Sequence, residues 1–241
     1  MSGYENIPFV CPFCGLQSCK LDSAGIDNAA NRDYKIIGAG LRYAKCPICK
    51  SIDRTRLVYT YLKYEKNIFA HPQTRVLHIA PEIVLADKFF EANFTNYSCG
   101  DFYAEGQHAN YPNFVKQMDV QNLPFKDGSF NVVICNHVLE HVQDDRKSMQ
   151  EIFRVLCKGG WSILQVPISP ILEKTIENPS ITDGQMLEKL FGQKDHVRLY
   201  GMDYVSRLES CGFNVKCIKL ANKYPNYGLN PLETLFIAHK D

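Results

Sequence analysis

From Arg75 to the end of the chain, short apolar runs of strand type alternate with helical stretches, and this alternation is the strongest constraint on the fold. "RVLHIA" (75–80) reads as a first buried strand. "PEIVLADKFFEANF" follows as a helix, with Pro81 suited to its first position. "NYSCGD" and the weaker "VKQMDV" are a second and a third strand, and "FNVVICNH", rich in β-branched residues, is the fourth. "DDRKSMQEIFRVLCKGG" is the clearest helix. Asp144 or Asp145 can cap it, Met149, Ile152, Phe153 and Leu156 form one apolar face, and Gly159 and Gly160 end it. "WSILQVPI", a helix in "DYVSRLESCGF", and the terminal strands "FNVKCIKL" and "LETLFIAHK" complete the series. The expectation is an α/β fold built on a doubly wound, mostly parallel sheet of seven strands.

Before Arg75 the pattern is different. "CPFCG" contains Cys11 and Cys14, "CPICKS" contains Cys46 and Cys49, and 31 residues separate the pairs. Two cysteines at this spacing place both sulfurs on one ion through a tight turn, so the two knuckles supply four thiolates for a tetrahedral Zn²⁺. A redox C-x-x-C normally occurs once, at a helix start, rather than as two matched knuckles. Four sulfur ligands leave no open position, so the expected zinc is structural. Cys19 is read as free, and Cys99, Cys135, Cys157, Cys211 and Cys217 as small core residues. Residues 1–55 are therefore expected to form a zinc-ribbon-like module. Residues 56–74 read as a helical connector with Leu57, Tyr61, Leu62 and Tyr64 on its buried side, and 75–241 as the α/β domain.

Bulk composition removes several alternatives. A hydrophobic fraction of 45%, a charged fraction of 22% and a net charge of +1 suit an ordinary globular chain and give no overall reason to expect nucleic acid. No apolar run approaches the roughly 20 residues of a membrane span. "MSGYENIPFV" has no basic start followed by an apolar core, so the expected location is cytoplasmic and reducing. Residues 1–75 carry 11 Lys/Arg against 6 Asp/Glu, and residues 76–241 carry 16 against 20. A tetrathiolate zinc would bring the first segment to about +3, a mild excess that reads as a solvated basic face rather than an RNA surface.

In an open parallel sheet, ligands bind beyond the carboxyl ends of the strands. Those ends carry Ala80, Pro81 and Glu82 after the first strand, then Asp101, then Asp119 with "VQNLPF", then "CNHVLEHV" after the fourth. Asp101 lies about 20 residues past the first turn, where a carboxylate can accept both ribose hydroxyls. Taken singly, each acid reads as a turn former or helix cap; in this order they form a pattern.

The segments "DVQNLPFKDGSFNVVICNHVLEHV" and "EIFRVLCKGGWSILQVP" resemble class I S-adenosylmethionine-dependent methyltransferases of the group with "LPF-x-D-x-S-F" before the fourth strand. The cysteine pairs, "VLHIAPE" and "LFGQKDHVRLYG" extend the likeness to a subfamily over nearly the whole chain. The resemblance implies a Rossmann-like sheet and S-adenosylmethionine as cofactor. It implies that Asp101 holds the ribose, that Asp119 and the Val120 backbone meet the adenine, that Asn136 and His137 lie near the methyl donor, and that Leu139 packs beneath it. His78, Ala80, Pro81 and Glu82 complete the expected cofactor set. The first turn has no glycine. That fits a cofactor without phosphate, because the turn must be slim but need not cradle an anion. Glu82 there has the right sign for a sulfonium cation.

In-line methyl transfer to a hydroxyl requires alignment and a base. His137 or His196, with Asp195, is the expected base, since histidine titrates near neutrality. His137, Glu140 and His141 would share one face if helical, which allows a second metal with His196 as a further ligand. Arg198 could bind an acidic substrate group. The expected reaction is methyl transfer to a small-molecule acceptor such as a saccharide or polysaccharide precursor. The alternatives are an RNA methyltransferase using the zinc module to hold RNA, and a cofactor-binding or zinc-mediated interaction protein without turnover.

Overall fold

The computed structural model describes residues 8–103, 111–178 and 180–241. Residues 1–7, on which the reading of a leader segment mostly rests, lie outside the described residues.

The N-terminal region holds two small antiparallel hairpins, β1 (Phe9–Val10) with β2 (Gln17–Ser18) and β3 (Asp22–Ala24) with β4 (Arg42–Lys45). Helix α1 (Ala29–Asp33) lies between β3 and β4. Helix α2 (Asp53–Thr60) follows and runs directly into a π-helical turn, Tyr61–Glu65.

The main sheet then comprises β5 (Val76–Ile79), β6 (Tyr97–Asp101), β7 (Lys116–Gln117), β8 (Phe130–Asn136), β9 (Leu156–Gln165), β12 (Asn214–Ile218) and β13 (Leu235–His239). Their spatial order is β12-β13-β9-β8-β5-β6-β7. The pairs β5–β6, β5–β8, β6–β7 and β8–β9 are parallel, and only β13 runs against its neighbours β9 and β12. The expected seven-stranded, mostly parallel sheet is present. Strand order reverses between β5 and β8, which opens a crevice at their carboxyl ends.

Helices cover both faces, and the strand period of two sorts the core between them. Val76, Val132, Ile134, Ile163, Leu235 and Ile237 point to one layer, against Leu57 and Leu62 of the α2 segment and Leu85 and Phe89 of α3 (Ile83–Glu91). Leu77, Ile79, Val133, Cys135, Leu164 and Phe236 point to the other, against Met149 and Ile152 of α4 (Asp145–Val155) and Leu208 of α6 (Tyr204–Glu209). Cys11 and Cys46 belong to the first apolar cluster, so the cysteine-pair region shares its core with the sheet. Between β9 and α6, the pair β10 (Ile176–Glu177) and β11 (Arg198–Leu199) flanks α5 (Gly184–Phe191).

Several local expectations change. Gly159 and Gly160 do not end α4. The helix stops at Val155, because Leu156 already pairs with Phe130 of β8, and the glycines lie inside β9. Pro81 precedes the helix rather than opening it. Glu82 is the extended residue before Ile83, because its side chain is engaged elsewhere. Cys217 is exposed rather than core, as it sits near the sheet edge on β12, and Tyr64 is 41% exposed beside Tyr224 and Tyr227.

Candidate active site

A cavity of about 590 Å³ lies in the crevice at the strand ends. Its walls include Ala80, Asp101, Asp119, Val120, His137, His141 and Asp195. The fold thus brings together residues spread over more than a hundred positions. Asp101 ends β6 and accepts from the Phe102 amide at 2.8 Å, and burial raises its carboxyl above the ordinary value. Asp119 accepts from the Gln121 amide at 2.8 Å.

His78, Pro81, Glu82 and Asn136 stand behind this wall rather than on it. His78 is fully buried in β5, 2.8 Å from the Tyr97 hydroxyl and 3.2 Å from Glu82 Oε2. Asn136 Nδ2 donates to Glu82 Oε1. These bonds anchor the glycine-free turn. Ala80 nevertheless takes the backbone that glycine usually supplies, with φ +48°, and its amide stays in register by donating to Gly100 O at 2.8 Å. A left-handed alanine costs on the order of 1 kcal/mol.

His137 follows β8, also left-handed at φ +58°. Its Nδ1 lies 3.1 Å from Glu140 Oε1. Burial, with the Arg54 charge adding, lowers its pKa to about 4. Burial alone would raise the Glu140 carboxyl, but the His137 hydrogen bond and neighbouring histidines hold it low. A neutral imidazole beside an ionised carboxylate donates from Nδ1 and keeps its lone pair on Nε2. Residues 137–141 form a turn rather than the expected helical face. His137, Glu140 and His141 therefore do not converge, and the group that does is Glu140, His141 and His196, with one ligand atom of each within 4.8 Å of the others.

Asp195 faces the cavity and holds His141 Nδ1 at 3.2 Å, whereas His196 lines a second cavity of about 280 Å³. That cavity lies between the N-terminal region and the sheet, with Asn31, Arg42, Arg54, Gln193 and His196 among its walls. Two backbone bonds between Ile37 and Ile168 (2.9 and 3.1 Å) and the Asn28 amide on Gly192 O (2.6 Å) fix the junction. Gly38, at φ +88°, sits where a Cβ would lie 3.3 Å from the His137 ring and 3.4 Å from Glu233. Glu233 accepts from Gln165 Nε2 at 3.2 Å, and burial raises its pKa to about 7.

Arg198 does not line the larger cavity. Its guanidinium is buried and spent on the carbonyls of Leu139, Val142 and Gln143 and on Glu177. Leu139 is fully buried in the second apolar cluster. Sequence reasoning missed Gly38, Arg54 and Glu233: Gly38 lies beside both the His137 ring and Glu233, and the Arg54 charge acts on both, through tertiary placement that no motif records.

In the N-terminal region the four cysteine sulfurs lie within 4.8 Å of one another, with Cys11–Cys49 at 3.5 Å and Cys14–Cys46 at 3.8 Å. Zn–S bonds of about 2.3 Å in a tetrahedron put sulfurs roughly 3.8 Å apart, so the donor set fits the ion.

The family model of the methyltransferase domain matches residues 85–164, the stretch from α3 through β9. The match thus covers about a third of the chain. An uncharacterized methyltransferase of Bacillus subtilis, YcgJ, is 32% identical over 66 residues, which are 26% of this chain and 26% of that protein. Norajmaline N-methyltransferase of Rauvolfia serpentina is 25% identical over 114 residues, 47% of this chain and 39% of its own length. Human thiol S-methyltransferase TMT1B is 44% identical over 57 residues, 24% and 23% of the two chains. The matched stretch thus spans well under half of each relative. Among solved structures, YcgJ covers 61% of this chain and 65% of its own at 20% identity and a TM-score of 0.43. A putative sarcosine dimethylglycine methyltransferase from Galdieria sulphuraria covers 76% and 72% at 16% identity and a TM-score of 0.47. The matched stretch supplies most of the crevice wall, including Asp101, Asp119, Val120, His137 and His141, whereas Ala80, Asp195 and the cysteine-pair region lie outside it. Among the described residues no helix is long and apolar enough to cross a membrane.

Proposed function

We propose that the chain transfers a methyl group from S-adenosylmethionine to a small polar molecule, such as a saccharide unit, bound in the cavity beneath the N-terminal region. The carrying observation is the crevice of a methyltransferase domain with carboxylates at two strand ends, Asp101 and Asp119. A volume of about 590 Å³ suits a nucleoside with an amino-acid tail. When bound, the cofactor supplies an electrophilic methyl on sulfur.

Asp101 accepts the ribose hydroxyls, and the Asp119 carboxylate with the Val120 backbone receives the adenine. Ala80 keeps the first turn slim, and His78, Pro81, Glu82 and Asn136 hold it in shape. His137 Nε2 is unpartnered and accepts the acceptor's proton, while Glu140 orients the ring from the other nitrogen. Asp195 and His196 stand between the two cavities and position the acceptor. Cys11, Cys14, Cys46 and Cys49 hold a structural Zn²⁺ that fixes the roof. The smaller cavity is only about 280 Å³, with Asn31, Arg42, Arg54 and His196 among its walls, which favours a small acceptor with polar groups over a polynucleotide.

The test is calorimetric titration with S-adenosylmethionine and S-adenosylhomocysteine. Wild-type protein should bind both, and Asp101→Ala should weaken them at least tenfold. Absence of binding by the wild type would overturn the reading.

A further inference from the structure

We propose that Glu140, His141 and His196 form a divalent-metal site in the wall between the two cavities. The three residues come from two separate segments, and one ligand atom from each lies within 4.8 Å of the others. Around an ion with bonds of 2.0–2.2 Å, such atoms sit roughly 3 to 4 Å apart, so closure asks for a shift of about an ångström or less.

The hydrogen bonds around the cluster make the case sharper. Each of the three groups has one atom held from behind and one left over. His196 Nδ1 lies 3.2 Å from the Phe191 carbonyl, which can only accept. That nitrogen therefore carries the proton, and the lone pair is on Nε2. His141 Nδ1 faces the Asp195 carboxylate at 3.2 Å, which fixes the same tautomer when the ring is neutral. Glu140 Oε1 is taken by His137 Nδ1 at 3.1 Å, while Glu140 Oε2 is buried without a partner. A buried carboxylate oxygen left unpaired costs free energy unless something occupies it. Imidazoles whose far nitrogen donates to a carboxylate or a carbonyl are the usual form of metal-bound histidine. His137 is thus not a ligand but the group that orients Glu140.

Two imidazoles and one carboxylate are a mixed nitrogen–oxygen set that favours a first-row divalent ion such as Mn²⁺ or Zn²⁺ over Ca²⁺. Three protein ligands leave positions open on the ion, unlike the four-cysteine cluster. His141 faces the larger cavity and His196 the smaller, so the open positions lie where the two chambers meet. The metal site stands on these contacts alone. Its role in holding the acceptor's oxygen rests on the methyl-transfer reading above.

The test uses full-length protein dialysed against EDTA and titrated with Mn²⁺, followed by electron paramagnetic resonance. Thiolate sites discriminate against this ion, so the cysteine cluster stays silent. One Mn²⁺ per chain is expected. Glu140→Gln and His196→Ala should weaken it at least 30-fold, with circular dichroism unchanged. His141→Asn, on the part-exposed rim, should do the same and guards against misfolding of the two buried variants. No bound Mn²⁺, or equal affinity in wild type and variants, would sink the proposal and leave a metal-free hydrogen-bonded cluster. S-Adenosylhomocysteine is titrated in parallel. If S-adenosylhomocysteine binds and Mn²⁺ does not, the metal site alone is overturned; if Mn²⁺ binds and S-adenosylhomocysteine does not, the metal site is supported and the functional reading is overturned.

Discussion

Two buried charged networks lie on either side of the turn after β8, and they differ in one respect. In the first, Asp145 at the start of α4 accepts from Arg207 at 2.8 Å and from the Tyr200 hydroxyl at 2.8 Å. Arg207 and Arg198 share Glu177, and Arg198 spends its remaining donors on carbonyls. No side-chain nitrogen or oxygen of these residues is buried without a partner. In the second, Asn136 Oδ1, His137 Nε2, Glu140 Oε2 and Glu233 Oε2 are all buried and unpaired. Natural interiors rarely leave such atoms orphaned. A saturated network joins α4, α6 and the β10–β11 pair into one body. An unsaturated one keeps valences for a proton, a metal or an acceptor. Charge content alone does not separate structure from site; the count of unmet hydrogen bonds does.

The largest expected effect is on the saturated side. Asp145→Ala removes the closest carboxylate partner of the buried Arg207 and should cost about 4 kcal/mol in urea unfolding. Burial would raise the Asp145 carboxyl, but Arg207 and Arg198 hold it below its ordinary value. A depressed folded pKa means that the stabilisation is present above the unfolded value near 4 and is lost as pH falls through the lower folded value. Wild type should therefore lose stability in that acid window while the variant stays flatter, and a variant that melts like wild type would dissolve the contrast.

The unsaturated side should respond with the opposite sign. Burial raises Glu233 to about 7. With a raised folded pKa, stability is full below the unfolded value near 4.5 and is lost as pH rises through 7. Glu233→Gln removes the ionisable group, so above pH 7 it should be more stable than wild type, by on the order of 3 kcal/mol. Thermal melts across pH 5 to 8 would show the two curves separating, and parallel curves would place Glu233 among the satisfied groups.

The smallest effect concerns the glycine-free turn. Ala80→Gly relieves a left-handed alanine and should change stability by no more than about 1 kcal/mol, because the added chain entropy of glycine offsets part of the relief. Ala80→Val should be clearly destabilising. If valine is tolerated, the turn is not strained and the site side of the comparison loses one of its marks.

How far the molecule is legible in its sequence follows the range of the interactions. The seven strands from "RVLHIA" to "LETLFIAHK" are readable because alternation of apolar residues is local, and the same holds for the Asp144 cap of α4, whose carboxylate accepts from Lys147 N at 2.9 Å. The end of that helix is not readable, because pairing of Leu156 with Phe130 overrides the glycine stop signal. Among site residues, Asp101 and Asp119 are found by the rule that ligands sit at strand ends. Arg198 is misread as a substrate ligand, since nothing in "KDHVR" tells that three carbonyls from residues 139–143 surround it.

The sequence by itself determined the α/β class, the cysteine knuckles and the acids at the strand ends, because each rests on residue type at short spacing. Only the tertiary structure decided that Gly38 and Arg54 of the N-terminal region close over His137, that His196 rather than His137 joins Glu140 and His141, and that a second cavity lies under that roof. The physical reason is that hydrogen-bond saturation and cavity shape are set by contacts between segments distant along the chain, and no local pattern records which buried atoms are left without a partner.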